Sequence, residues 1–205
     1  MHFNTVAIWG MGLLGGSLGL ALRQRKMAER IIGVGRSLER LNRALELKSC
    51  DEISDDPAQS FAQSDLVILC APVAVLADSL PDFAQSFKPG AIVTDVGSTK
   101  RRIVNVADEC IPASVYFVGS HPMSGGESGG VEFARADLYA GNPCFITPTP
   151  RTNLEALATV SSFWQELGSR VVITDAERHD RLASAISHVP RITSAALALQ
   201  IGRAH

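Results

Sequence analysis

The chain has 205 residues, 46% of them hydrophobic and 20% charged, enough apolar material to bury the core of one large domain or of one domain and part of a second. Its 19 Lys and Arg against 21 Asp and Glu leave a formal charge of −2, which excludes the basic footprint of a nucleic-acid binder and gives no attraction to an anionic membrane. No apolar run approaches the length of a membrane span. The N-terminus passes into an apolar strand without a basic segment or cleavage motif, and Cys50, Cys70, Cys110 and Cys144 are dispersed with no CxxC pair. The expected setting is therefore the cytoplasm, with reduced thiols and neither a metal site nor a disulfide framework.

In chain order, the apolar residues 6–9 enter Gly10, Met11, Gly12, Leu13, Leu14 and Gly15, and a helix-period pattern over 12–25 leaves them with Leu14, Leu18, Ala21 and Leu22 on one side. Glycines at this spacing turn a strand sharply into a helix and let backbone approach a pyrophosphate, which the free amides and partial positive charge of the helix N-terminus hold. A second strand, 31–34, runs into Gly35, Arg36 and Ser37. An NAD site usually carries an acid here to bind the ribose hydroxyls. Arg36 and Ser37 fit a 2'-phosphate instead, so NADP is favoured and NAD is the second choice. Two plainer readings stay open, with Arg36 stacked on adenine and Ser37 only capping the next helix.

A helix over 38–47, a short strand over 51–53 and a short helix over 57–61 follow. The continuous apolar run 66–70 has the character of a buried parallel strand, and it delivers Cys70, Ala71 and Pro72 to the sheet edge. Helical pattern over 75–87 is interrupted by Pro81, and a strand over 91–95 opens into Gly97 and Ser98. Ser98 is placed to cap the helix over 101–110. A strand over 116–118 leads into a glycine-rich loop, 119–129, which carries His121 and Glu127. A histidine at the carboxyl end of a central strand beside a dinucleotide is a candidate acid or base.

Beyond it lie a strand over 144–147, a helix over 153–167 and a strand over 170–173. Asp175 then caps a last helix over 176–201, with an apolar stripe from Leu182 to Leu199 and a kink at Pro190. This alternation predicts an α/β protein, a doubly wound, mostly parallel Rossmann-type sheet with flanking helices. The expected division is a dinucleotide-binding domain over 1–174 and a helical segment over 175–205. Ligands of such sheets lie at the carboxyl ends of the strands, which gathers residues 10–15, 35–37, 70–73, 95–100 and 119–127 along one crevice.

The glycine loop at 10–15, DVGSTK at 95–100, SHPMSGGESG at 120–129 and SHVP at 187–190 together resemble the prephenate/arogenate (cyclohexadienyl) dehydrogenase family of tyrosine synthesis. The resemblance implies an oxidative decarboxylation of prephenate or arogenate with hydride transfer to NAD(P)+. His121 would polarise the ring C4 hydroxyl and Ser98 would orient that hydroxyl or His121. Glu127 would lie at the substrate or domain boundary, and His188 would line the substrate pocket, although core packing also suits a histidine there. Gly10, Gly12 and Gly15 would cradle the pyrophosphate, and no metal is implied. The last helix would open an all-α domain that forms a homodimer and supplies an arginine for a substrate carboxylate. The chain ends at His205 inside that helix, so the expectation is a truncated second domain. The competing readings are a catalytically incompetent dinucleotide-binding module and a reductase acting on another small acid.

Overall fold

The computed structural model describes residues 1–126 and 128–202, with the side chains of 187–191 and 201–202 left aside. Eight strands form one sheet: β1 (Phe3–Trp9), β2 (Ala28–Val34), β3 (Glu52–Ser54), β4 (Leu66–Leu69), β5 (Ile92–Asp95), β6 (Tyr116–Pro122), β7 (Pro143–Thr147) and β8 (Arg170–Ile173). Their spatial order is β3-β2-β1-β4-β5-β6-β7-β8. All neighbours are parallel except β6 and β7, which run antiparallel. The order reverses between β1 and β4, and a crevice opens at such a switch point.

The helices are α1 (Leu13–Arg25), α2 (Leu38–Glu46), α3 (Pro57–Ala62), α4 (Val73–Phe83), α5 (Arg101–Cys110), α6 (Leu154–Glu166), α7 (Ala176–Ala183) and α8 (Val189–Gly202). They cover both faces of the sheet, so the central strands are apolar on both sides and period two sorts them between two cores. Val6, Ile8, Leu66 and Ile68 join one core, together with Leu18, Leu22, Tyr139 and Trp164. Ala7, Trp9, Val67 and Leu69 join the other, together with Phe61, Leu76, Leu80 and Ile103.

The expected elements are all present, and four of them differ in a way that matters. Pro81 does not interrupt α4, which begins at Val73 and passes through the proline to Phe83 before a 3-10 turn at Ala84–Ser86. β6 extends four residues beyond the expected strand, because residues 119–122 pair antiparallel with β7, His121 opposite Phe145. His121 is thus a strand residue and not a loop residue. The helix at 101–110 is not capped by Ser98; Lys100 is its N-cap residue. The single helix expected over 176–201 is divided into α7, a π turn at Ser184–His188 and α8. A proline within a helix offers no amide and conflicts with the carbonyl four residues before it, and the sequence has one at position 190, next to this irregular winding. Asp175 caps α7 as expected, its carboxylate accepting the amide of Arg178 at 2.8 Å.

Candidate active site

The strand-to-helix turn after β1 is built by close contacts. Gly10 has φ +109°, and a Cβ there would lie 2.9 Å from the backbone of Cys70 and Ala71. A Cβ on Gly15 would stand 2.1 Å from the carbonyl oxygen of Gly10. Neither position admits a side chain without moving the loop against the end of β4. Gly12 differs, since a Cβ there meets open space, and it is the N-cap residue of α1, with no side-chain cap among the described residues. The first amides of α1 therefore face a space into which an anion can come. Buried Tyr139 steadies this turn by donating its hydroxyl to the Leu14 carbonyl at 2.7 Å. Donor set, helix end and glycine packing fit the pyrophosphate of a dinucleotide.

Leu14 opens onto a cavity of about 300 Å³ whose wall includes Cys70, Ala71, Pro72, Gly97, Ser98 and His121, all expected in the crevice, and also Val73, Val96, Pro122 and Ser124. Met11, Leu13, Arg36 and Ser37 are not in its wall. Met11 is buried in the core, and a Cβ on Gly33 would meet its side chain at 3.1 Å, so only its backbone is available to a cofactor. Leu13 is half-buried beside Gly126. Exposed Arg36 and half-buried Ser37 follow β2, the neighbour of β1. The Ser37 hydroxyl accepts the amide of Arg40 at 3.4 Å, so Ser37 caps α2. Glu127 and the side chain of His188 fall outside the described residues.

Beneath the cavity, β5 and β6 are joined by a buried polar cluster. Asp95 and Lys100 are both fully buried and form an ion pair. The Asp95 carboxylate also accepts the amides of Gly97 at 2.9 Å and Ser120 at 3.1 Å, while the Lys100 ammonium donates to the Ser120 carbonyl at 2.7 Å. The Ser120 hydroxyl donates to the Asp95 carbonyl and accepts the Trp164 indole N–H at 3.1 Å. Burial pulls the Lys100 pKa below its ordinary value, against the upward pull of Asp95. Each polar group has a partner here, as a buried charge requires. The cluster fixes residue 120, and so the direction in which β6 presents His121.

Two functional candidates were not anticipated from the sequence, His179 and Asp180 of α7. His179 is fully buried, and its Nε2 lies 2.8 Å from Nδ1 of His121. Its Nδ1 lies 2.7 Å from the Asp180 carboxylate. That carboxylate also accepts the amides of Lys100 at 2.7 Å and Arg101 at 3.0 Å. Asp180 thus supplies, from eighty residues away, the cap expected of Ser98, and exposed Ser98 is left in the cavity wall. Burial draws the Asp180 pKa upward, but the two amides and the His179 ring outweigh it and hold the carboxyl below its ordinary value. The available signal was a histidine on the buried face of α7, four residues before Ala183, followed directly by an acid.

Residues 18–173 match the family model described as "Prephenate dehydrogenase, nucleotide-binding domain". The chain is 33% identical over 198 residues to the prephenate dehydrogenase of Bacillus subtilis (strain 168), an alignment covering 96% of this chain and 53% of that protein. Among solved structures it superposes on prephenate dehydrogenase from A. aeolicus in complex with hydroxyphenyl propionate and NAD+ with TM-score 0.91 and 30% identity, covering 98% of this chain and 70% of the other. Synechocystis arogenate dehydrogenase gives TM-score 0.85 and 32% identity over 96% of this chain and 68% of the other. The chain spans about half the length of the B. subtilis relative. It belongs to the prephenate dehydrogenase family and carries that family's nucleotide-binding domain.

Proposed function

We propose that the protein binds a nicotinamide dinucleotide in the crevice between β1 and β4 and oxidises prephenate or arogenate with loss of CO2. The observation that carries this reading is the position of His121 at the carboxyl end of β6, in one cavity wall with Gly97, Ser98 and the 70–72 turn. Backbone amides of the first turn of α1 would hold the pyrophosphate, with Gly12 giving it room to approach. When bound, the nicotinamide accepts the two electrons and the hydrogen that leave ring C4. His121 accepts a hydrogen bond from the C4 hydroxyl and stabilises the charge that develops there, and Ser98 orients that hydroxyl. Gain of an aromatic ring drives the reaction, so these residues chiefly position and polarise. The proposal also assigns Glu127 to the substrate or domain boundary and His188 to the substrate pocket, although Glu127 and the His188 side chain lie outside the described residues.

In this reading the setting is cytoplasmic. The exposed apolar residues of α8, Ile192, Leu197 and Leu199, are covered by further helical structure in a homodimer. The test mixes the protein with prephenate or arogenate and NADP+ or NAD+, and follows reduced nicotinamide. Reduction with either substrate supports the reading. Nucleotide binding without reduction supports the second reading, a dinucleotide-binding module.

Within the cofactor class the proposal is NADP over NAD, because Gly35, Arg36 and Ser37 place no acid after β2 and leave the Arg36 guanidinium exposed. Removing a charge-assisted hydrogen bond worth roughly 1.5–3 kcal/mol by Arg36→Ala is expected to weaken NADP+ binding about 10- to 100-fold and leave NAD+ binding unchanged. Calorimetric titration with both nucleotides checks this, and equal effects on the two would remove Arg36 from the 2'-phosphate.

A further inference from the structure

Two imidazoles in contact raise the question of which nitrogen carries each proton, and here the surroundings answer it. The Asp180 carboxylate only accepts, so the His179 nitrogen facing it, Nδ1 at 2.7 Å, carries a proton. Burial is the largest influence on the His179 pKa and lowers it; nearby Lys100 lowers it further, against the upward pulls of Asp180 and Asp95. His179 is therefore neutral near pH 7, and its Nε2 holds a lone pair. That nitrogen lies 2.8 Å from Nδ1 of His121, so the contact is a hydrogen bond only if His121 Nδ1 is the donor. A neutral His121 protonated at Nδ1 has its lone pair on Nε2.

We propose that His179 and Asp180 are positioning residues that lock His121 in the Nδ1–H tautomer, with Nε2 as the nitrogen that accepts the substrate hydroxyl. The inference rests on the proposed dehydrogenase reading for what Nε2 accepts, while the tautomer follows from the contact geometry together with the neutrality of His179. The lock is rigid because each part is held separately. The edge of the His179 ring also meets Phe145, centroids 5.3 Å apart, and Phe145 is the β7 residue opposite His121. Asp180 is fixed by the two amides that begin α5. One carboxylate thus anchors the Gly97–Ser98 side of the cavity and sets the proton on its histidine, tying α7 to the site. An acid behind a histidine that fixes its tautomer serves catalysis in unrelated enzymes; here a second imidazole stands between them.

The test is ¹⁵N NMR of histidine-labelled protein, with the His121 signals assigned by their loss in His121→Asn. The expected wild-type spectrum has His121 protonated at Nδ1 and not at Nε2. In His179→Leu that preference should be lost, and in His179→Gln it should return, because the glutamine carbonyl can accept from Nδ1. Nucleotide affinity, measured alongside, is expected to change less than about twofold, the scatter of a residue outside the binding contacts. If His179→Leu does not fold, the wild-type and Gln spectra decide. A His121 protonated at Nε2 in the wild type, or a tautomer indifferent to His179→Leu, overturns the proposal. With prephenate, His179→Leu should lower kcat about 100-fold at little change in KM, with Gln recovering most of the loss. A wild type that reduces no nucleotide defeats the dehydrogenase reading and leaves the spectra to judge the tautomer independently.

Discussion

Replacing His121 by asparagine is expected to lower turnover of prephenate by about 10²- to 10⁴-fold, the range over which a positioned imidazole contributes. Asparagine fills much the same space in β6 and can still donate toward His179, so the strand pairing with β7 and the cavity wall survive. What it lacks is an acceptor at the place of Nε2. Nucleotide affinity should therefore change by less than about twofold, since the proposed pyrophosphate site is made by backbone amides of α1 and not by His121. Steady-state kinetics with calorimetry on the same preparation checks both halves. Undiminished turnover would remove His121 from the chemistry, and parallel loss of turnover and nucleotide binding would make its role structural.

The second large effect is on stability. Lys100→Met leaves the fully buried Asp95 without its cation, and breaking a buried pair from one side costs about 3–5 kcal/mol. For a chain of this size that corresponds to a fall in Tm of about 6–20 °C. The double variant Asp95→Asn/Lys100→Met has no uncompensated charge and should recover most of the loss, a coupling that the thermal double-mutant cycle measures directly. A single variant as destabilised as the double one would mean that the charge pair is not what holds β5 to β6. Lys100 also donates to the Ser120 carbonyl, next to His121. The methionine variant is therefore expected to lose activity even below its Tm.

Much of this arrangement was legible in the sequence wherever local chemistry decides. The glycines after β1, the apolar run of β4 and the Asp175 cap each declare their structure within a few residues, and the alternation of strands and helices declares a doubly wound, mostly parallel sheet. The failures were made by distant partners. Ser98 precedes a helix and has the chemistry of a cap, yet the amides go to Asp180, eighty residues later. His121 sits among glycines and reads as loop, yet β7 turns it into strand. His179 lies just before an apolar stripe that begins at Leu182, and little in the local sequence distinguishes this polar residue on the buried side of α7. The ion pair of Asp95 and Lys100 lies within one recognised motif, but nothing local shows that both side chains are buried. Local rules therefore placed the crevice at the carboxyl ends of the strands, and long-range contacts set the orientation of His121 in its wall.

The central claim is that this crevice is a dinucleotide site with His121 in its wall. Titration of ¹⁵N-labelled protein with NADP+ and NAD+, followed through the backbone amides, tests it most directly. Saturable shifts are expected at Gly10, Gly12 and Gly15, at Cys70 and Ala71, and at Gly97, Ser98 and His121. No saturable shifts with either nucleotide, or shifts confined to a surface away from the carboxyl ends of β1, β4 and β5, would contradict it.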